Sequence, residues 1–238
     1  MRLAKFIITA TLTFLMALHV DSSYAAECVV LIHGFGRGSF SMGKINTNLI
    51  DHGYKTIAVN YPSRDGNIKT IAETHVLPQI VSQSESCDTI HFVGFSMGGI
   101  ITRYILEYHR PNNLGKVVFI ASPHSGTEIV SSFERFDWFR SLIGPAAMDL
   151  SISSHFLRTI PDYVDYPAGV ISGTFSINPI SYLIFYDKEC DGTVGLESTK
   201  IKGMKDHLIL NISHTLMPYN QRVVEETQYF ISHGEFRK

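Results

Sequence analysis

The stretch Val93-Gly94-Phe95-Ser96-Met97-Gly98-Gly99, VGFSMGG, decides the fold of this chain. A Gly-x-Ser-x-Gly pattern alone is weak evidence, because Ser96 could be an ordinary polar residue in a glycine-rich turn. Its surroundings are more specific: an apolar strand candidate, residues 89–95, leads into the serine, and a helix candidate, residues 97–109, follows it. A sharp strand-to-helix turn tolerates only small neighbours. The junction therefore predicts a nucleophilic Ser96 beside a helix N-terminus that favours a developing anion.

Apolar runs alternate with helical segments on both sides of this junction. This alternation predicts an α/β fold with a mostly parallel central sheet flanked by helices. The strand candidates are residues 28–33, 54–60, 89–95, 116–121, 168–172, 181–186 and 207–212. The helix candidates are residues 41–52, 67–83 with a kink at Pro78, 97–109 and 216–233.

Composition and charge narrow the class of protein. The chain has 238 residues, 45% of them hydrophobic and 18% charged, which suits one globular domain with a substantial core. The formal net charge of -2 and the lack of a dense Lys/Arg cluster argue against nucleic-acid binding. We expect no nucleic-acid partner, no metal and no cofactor.

The first 25 residues have the pattern of a signal peptide. Arg2 and Lys5 precede an apolar run, and Ser23 and Ala25 fit the small residues before a cleavage site. The alternative is a membrane anchor, although the apolar run is short for a span. We predict cleavage after Ala25, which leaves residues 26–238 as a single domain in the periplasm or outside the cell.

Export makes the three cysteines informative. Cys28 begins the first strand candidate and Cys87 precedes the third, so neighbouring parallel strands would bring their starting ends together. In an oxidising compartment the two can form a disulfide, which leaves Cys190 unpaired. The alternative is three reduced cysteines.

A nucleophilic serine needs donors for an oxyanion and a base for its proton. One donor is the backbone amide of the next residue, Met97, and a loop after an early strand offers the Phe35 amide. His33, in that loop, has the pattern of a structural histidine. The base and its carboxylate should follow later strands in the order carboxylate, then histidine.

Asp191 and His214 fit that order best. Asp191 lies in a tight turn after a strand candidate, and His214 follows the last one. Position argues against the competing histidines, because His207 begins its strand, His124 comes early and His233 closes the terminal helix. The competing carboxylates are Asp187, which also lies near a strand end, and Asp206.

Five motifs together resemble the lipase and esterase branch of the α/β-hydrolase superfamily, most closely small bacterial lipase-like proteins related to triacylglycerol lipases. In family order they are His33-Gly34-Phe35-Gly36, Gly94-Phe95-Ser96-Met97-Gly98-Gly99 with Arg103-Tyr104, Ser122-Pro123-His124-Ser125-Gly126-Thr127-Glu128, Asp191-Gly192-Thr193-Val194 and Ser213-His214-Thr215.

The resemblance implies a carboxylic ester hydrolase acting on lipid-like or short-to-medium acyl esters. It assigns Ser96 as nucleophile, His214 as general base, Asp191 as the orienting carboxylate, and the Phe35 and Met97 amides as oxyanion donors. Arg103 and the loop 123–128 would wall the site. An acyltransferase, a thioesterase or a peptidase could use the same residues, and an inactive fold could serve as a binding protein.

A cap region, about residues 123–166, separates the fourth and fifth strand candidates. It contains a crowded apolar stretch of Phe133, Phe136, Trp138, Phe139, Leu142 and Ile143. Such a stretch either packs onto its own domain or lines an acyl pocket and makes transient contact with a lipid surface.

Overall fold

The computed structural model describes residues 26–237, which fold around a central six-stranded parallel sheet. Its strands are β1 (Glu27–Ile32), β2 (Lys55–Val59), β3 (Thr89–Phe95), β4 (Leu114–Ile120), β5 (Ala168–Gly173) and β6 (Asp206–Leu210). Their spatial order is β2-β1-β3-β4-β5-β6, and every neighbouring pair is parallel. The predicted α/β class and parallel sheet are confirmed.

Helices cover both faces of this sheet. In chain order the α-helices of residues 26–237 are α1 (Gly43–Asp51), α2 (Ile68–Ile71), α3 (Leu77–Gln83), α4 (Met97–Tyr108), α5 (Glu128–Phe133), α6 (Asp137–Ile143), α7 (Pro145–Met148), α8 (Pro179–Phe185), α9 (Leu196–Thr199) and α10 (Gln221–His233). Side chains of a strand point alternately to its two faces. Val30 and Ile32 of β1 accordingly pack in the core cluster that includes α2, α3 and α4. Val29 and Leu31 pack in the cluster that includes α1 and α10.

One predicted strand is wrong. Residues 181–186 lie in α8 and in the residue that ends it, not in a strand of the sheet. The run is rich in Ile, Tyr and Phe, which favour strands. However, Pro179 occupies the first turn, where its missing N–H costs nothing. The Asn178 side chain accepts a hydrogen bond from the Ile180 amide and caps the helix.

The helix candidate 97–109 forms the single helix α4, whereas the candidates 41–52, 67–83 and 216–233 form helices with interruptions. Residues 214–219 form a 3-10 helix, and α10 begins after it at Gln221. Pro218 lies in the 3-10 segment, and the Asn220 side chain caps α10. A π-helical turn, Ala72–Val76, separates α2 from α3, whose second residue is Pro78. Pro78 has no backbone N–H to donate to the preceding turn, so the predicted irregularity of the helix lies just before it. At the start of α1, Ser39–Met42 is a 3-10 helix.

Cys28 and Cys87 form the predicted disulfide, with their Cα atoms 5.7 Å apart. The pairing follows from the topology, because β1 and β3 are parallel neighbours and Cys28 lies opposite Ile90. Cys190 is a free, buried cysteine. The predicted signal peptide lies outside the described residues. Within residues 26–237, no helix is long and apolar enough to cross a membrane.

Candidate active site

Ser96 lies at a strained turn between β3 and α4. Its backbone has φ 55° and ψ -123°, a conformation that residues with a side chain rarely adopt. The Ser96 amide donates to the Ile120 carbonyl of β4 at 2.8 Å, and this bond anchors the turn to the sheet. Strained backbone of this kind persists where the surrounding structure enforces it.

Glycines permit this turn because backbone or side-chain atoms of other segments lie directly beside them. A Cβ on Gly98 would overlap the carbonyl of Ile32 at the end of β1. A Cβ on Gly99 would overlap the Ser122 side chain after β4. Glycine at these positions therefore lets α4 start against the ends of β1 and β4, with Ser96 at its N-cap.

Ser96, His214 and Asp191 form a continuous chain of hydrogen bonds. The Ser96 hydroxyl lies 3.0 Å from His214 Nε2, and His214 Nδ1 lies 2.7 Å from Asp191 Oδ2. When Nδ1 carries the ring proton it donates to the carboxylate, and Nε2 is then free to accept the serine proton. The His214 amide also donates to the Asp191 carbonyl at 2.9 Å, so the two loops are joined by backbone as well.

The second carboxylate oxygen of Asp191 is bound by its own turn. Asp191 Oδ1 accepts from the Thr193 amide at 2.9 Å and from the Val194 amide at 2.8 Å. Asp191 is 1% exposed, so these bonds compensate the loss of water around the charge. Ser96 and His214 are also nearly buried, at 7% and 8% exposed. Electrostatic interactions among the three are stronger here than they would be in water.

The backbone around Phe35 and Met97 suits the predicted oxyanion donors. Met97 is the first residue of α4, where an amide has no carbonyl one turn back along the helix. Phe35 follows Gly34, and a Cβ on Gly34 would lie 3.1 Å from Ser96 Cβ. Both amides thus belong to backbone segments that adjoin Ser96.

The competing carboxylates and histidines are either exposed or held by other partners. Asp187 is exposed after α8, and Asp206 accepts from the Phe236 amide at 2.8 Å. His207 is hydrogen-bonded to Ser172 at 2.7 Å. His233 ends α10 and its ring stacks on Tyr229.

Arg103 connects α4 to the wall of the site. It is buried and donates to the carbonyls of His124 at 3.1 Å and Pro161 at 2.5 Å. Burial lowers the pKa of Arg103 to about 10. The same loop is held from the other side by Thr127, whose hydroxyl donates to the Thr193 carbonyl at 2.5 Å. These bonds fix the loop 123–128 between α4 and the Asp191 turn.

The His33 ring is held by contacts with Gly34 and Tyr61. Its Nδ1 lies 2.9 Å from the Gly34 carbonyl, its Nε2 lies 3.4 Å from the Tyr61 amide, and its ring stacks on that of Tyr61 at 4.0 Å. Burial lowers the pKa of His33, so the neutral ring is favoured.

Sequence reasoning missed Arg37, which contacts the 3-10 helix that begins at His214. Its Nη2 donates to the Thr215 carbonyl at 3.3 Å and its Nη1 to the Tyr219 hydroxyl at 3.4 Å. Nothing in the spacing of these residues, more than 170 positions apart, pointed to the contact.

The apolar stretch of residues 133–143 is divided between core and surface. Phe139 packs against the core, and its ring lies 5.4 Å from that of Phe133. Trp138 and Leu142 of the same helix, α6, are 60% and 61% exposed. The surface therefore carries large apolar side chains that the domain itself does not cover.

A nucleophile elbow on a parallel sheet, with a histidine and a carboxylate on later loops, defines the α/β-hydrolase class. The palmitoyl protein thioesterase family matches residues 28–162, more than half of the chain. The protein belongs to this family, and the predicted α/β-hydrolase fold of the lipase and esterase branch is confirmed. A search of curated protein sequences finds no match.

Solved structures of lipases and esterases share the fold. A mature lipase from Bacillus licheniformis has TM-score 0.66 and 12% identity over 89% of this chain and 93% of its own. Lipase B from Aspergillus fumigatus has TM-score 0.64 and 17% identity, with 87% of this chain but 53% of the fungal chain covered. A metagenomic carboxyl esterase has TM-score 0.65 and 20% identity over 81% and 65% of the two chains.

Proposed function

We propose that this protein is a serine hydrolase that cleaves carboxylic esters through an acyl-enzyme on Ser96. The observation that carries the proposal is the hydrogen-bond chain from Asp191 through His214 to Ser96 at a strained elbow. A serine hydroxyl is a weak nucleophile until an adjacent base accepts its proton, and His214 Nε2 lies within reach.

In the first step, Ser96 Oγ attacks the ester carbonyl carbon while its proton passes to His214 Nε2. The carbonyl oxygen becomes an oxyanion, which the Phe35 and Met97 amides stabilise. The tetrahedral intermediate then collapses: the bond to the alcohol oxygen breaks, and the His214 proton goes to that oxygen. Asp191 holds the ring in the tautomer that accepts from Ser96 and stabilises the imidazolium.

In the second step, water replaces the alcohol. His214 takes a proton from the water as the water oxygen attacks the acyl carbon, and a second oxyanion forms in the same position. Collapse breaks the bond to Ser96 Oγ, and the histidine returns the proton to the serine. The carboxylic acid leaves, and the enzyme is restored without a metal or a cofactor.

We propose lipid-like or short-to-medium acyl esters as substrates. Trp138 and Leu142, exposed on α6 in the proposed cap region 123–166, support transient contact with a lipid surface. The family is described as palmitoyl protein thioesterase, so a thioester belongs in the same substrate panel. Residues 26–238 would form a single exported domain. The disulfide supports a periplasmic or extracellular location.

Covalent labelling and ester hydrolysis test the proposal together. The purified chain is treated with a fluorophosphonate probe and assayed with p-nitrophenyl esters of graded chain length and a thioester of matched chain. We expect labelling at Ser96, ester turnover, and loss of both in Ser96→Ala. Ser82→Ala, at an exposed serine in α3, is the matched control and should behave as wild type.

Two outcomes would contradict the proposal. A folded wild-type protein that neither labels nor hydrolyses any ester would be a binding protein with this fold. Preferential transfer of the acyl group to an added alcohol, at a low concentration relative to water, would make the protein an acyltransferase.

A further inference from the structure

Arg37 belongs to the loop that carries Phe35 and contacts the 3-10 helix, residues 214–219, that begins at His214. Its guanidinium donates to the Thr215 carbonyl at 3.3 Å and to the Tyr219 hydroxyl at 3.4 Å. Thr215 comes directly after the proposed general base. One planar side chain thus connects the Phe35 loop with two residues that lie 178 and 182 positions after Arg37 in the chain.

The same guanidinium also packs between two aromatic rings. Its Cζ lies 5.3 Å from the centre of the Phe95 ring and 5.9 Å from that of Tyr219. Both distances fall in the range of cation–π attraction. Phe95 directly precedes Ser96, and its ring centre lies 5.1 Å from that of His214. Arg37 therefore contacts Phe95, which precedes Ser96, and the residues that directly follow His214.

The Phe35 loop also contacts the segment that follows β2. The Gly36 amide donates to the Ser63 hydroxyl at 2.9 Å, and Arg64 Cζ lies 5.4 Å from the Phe35 ring centre. Gly36 has φ +66°, a conformation that glycine adopts without strain. These contacts fix the loop to the segment after β2, whereas Arg37 connects it to the residues that follow His214.

From this arrangement we infer that Arg37 is a positioning residue for the proposed hydrolysis. It holds the Phe35 amide and His214 at a fixed separation around Ser96. The inference rests on the proposed function. The role needs a planar fork with several donors that can stack on rings, which arginine has and lysine lacks. Small displacements of groups that act in the transition state reduce turnover strongly.

Active-site-normalised kinetics test this role. The fraction of protein that the fluorophosphonate labels gives the number of competent sites, and kcat is calculated per labelled site. For Arg37→Met, which keeps most of the side-chain length, we expect kcat on a soluble ester to fall about tenfold or more. We expect KM to stay within about twofold, because the interaction affects the transition state rather than substrate binding. Arg37→Lys should recover only a small part of the loss.

Arg110→Met is the matched control. Arg110 also stacks on a tyrosine, with its Cζ 5.2 Å from the Tyr166 ring centre, and pairs with Asp165 at 2.7 Å beyond the end of α4. It contacts neither loop of the site, so kcat per labelled site should stay at the wild-type value. A double-mutant cycle adds Tyr219→Leu. Because Tyr219 is expected to act through its contact with Arg37, Arg37→Met/Tyr219→Leu should lose little more activity than Arg37→Met.

Several results would overturn the inference. Normal kcat per labelled site with fewer competent sites would mean that Arg37 supports only folding. A raised KM with unchanged kcat would make it a substrate-binding residue, and full activity in Arg37→Lys would mean that charge alone suffices. Additive losses in the double variant would exclude a shared contact. If the wild type neither labels nor turns over, the proposed function fails first and removes this inference with it.

Discussion

Gly94 and Gly99 lie in direct backbone contact: a Cβ on Gly94 would stand 2.6 Å from Gly99 Cα and 2.7 Å from the Gly99 amide nitrogen. Neither neighbour is the end of a flexible side chain, so the clash could be relieved only by moving β3 away from α4. This contact sets the sharpness of the turn at Ser96.

Gly94→Ala is expected to destabilise the protein by about 3 kcal/mol, since overpacking against rigid backbone is costly. Urea unfolding followed by circular dichroism measures the change. Gly43→Ala is the control: Gly43 has helical φ -57° and nothing near its missing Cβ. It should be neutral or stabilising by up to about 1 kcal/mol. Equal unfolding midpoints for the two variants would contradict the packing argument.

Asp191→Asn should lower kcat for ester hydrolysis by about 10⁴-fold while the fold is retained. The amide keeps one acceptor oxygen, which the Thr193 and Val194 amides can still bind. Its NH2 group then faces His214 Nδ1 and favours the ring tautomer that cannot accept the Ser96 proton. Asp187→Asn, at the competing exposed carboxylate, is the matched control and should retain wild-type kcat. A larger loss in the Asp187 variant would reverse the two assignments.

Stability should decrease as the pH falls below about 6.5, the usual histidine pKa in an unfolded chain. Burial lowers the pKa values of His33 and His124 in the folded protein. Below pH about 6.5 the unfolded chain therefore binds protons that the folded chain does not, and stability is lost down to the folded pKa values. Each histidine contributes a slope of up to about 1.4 kcal/mol per pH unit.

His124→Gln should make that slope shallower. The free energy of unfolding is measured in urea between pH 7.5 and 5 for wild type, His124→Gln and, as control, His155→Gln at an exposed histidine. The control should follow the wild-type curve. Parallel curves for all three proteins would show that His124 does not cause the acid sensitivity.

Reduction of the Cys28–Cys87 disulfide should cost about 4 kcal/mol of stability, given the entropy of the loop that it closes. Cys28→Ser/Cys87→Ser should match the reduced wild type in a thermal melt and should not respond to dithiothreitol. Cys190→Ser, at the free cysteine, should keep the full response to reductant. If the response vanished in Cys190→Ser, the stabilising pair would include Cys190.

Trp138→Ser/Leu142→Ser should reduce hydrolysis of an emulsified long-chain ester about tenfold, because it removes exposed apolar area that binding to a lipid surface would bury. Hydrolysis of a soluble short-chain ester should be unchanged. Val81→Ser is the control, since Val81 is 59% exposed on α3 and lies outside the cap region. An equal loss on both substrates would indicate a folding defect or a direct contact with the acyl chain.

The strands and the turn at Ser96 were predictable because the residue types in each segment favour the structure that the segment adopts in the fold. The continuous apolar runs of β1, β3 and β4 require burial on both faces, and glycines on both sides of Ser96 permit a turn that other residues would clash in. The segment 179–185 was not predictable in this way. Its β-branched and aromatic residues favour a strand, but Asn178 and Pro179 start a helix, and most of its apolar side chains stay exposed.

By itself, the sequence determined the α/β class, the elbow at Ser96 and the candidates Asp191 and His214, because these depend on glycine stereochemistry, apolar periodicity and chain order. Only the tertiary structure decided which carboxylate meets His214 and that Arg37 reaches Thr215 and Tyr219. Such contacts join positions far apart in the chain, and their distances are set by how the strands register and the loops pack. No local pattern of residues carries that information.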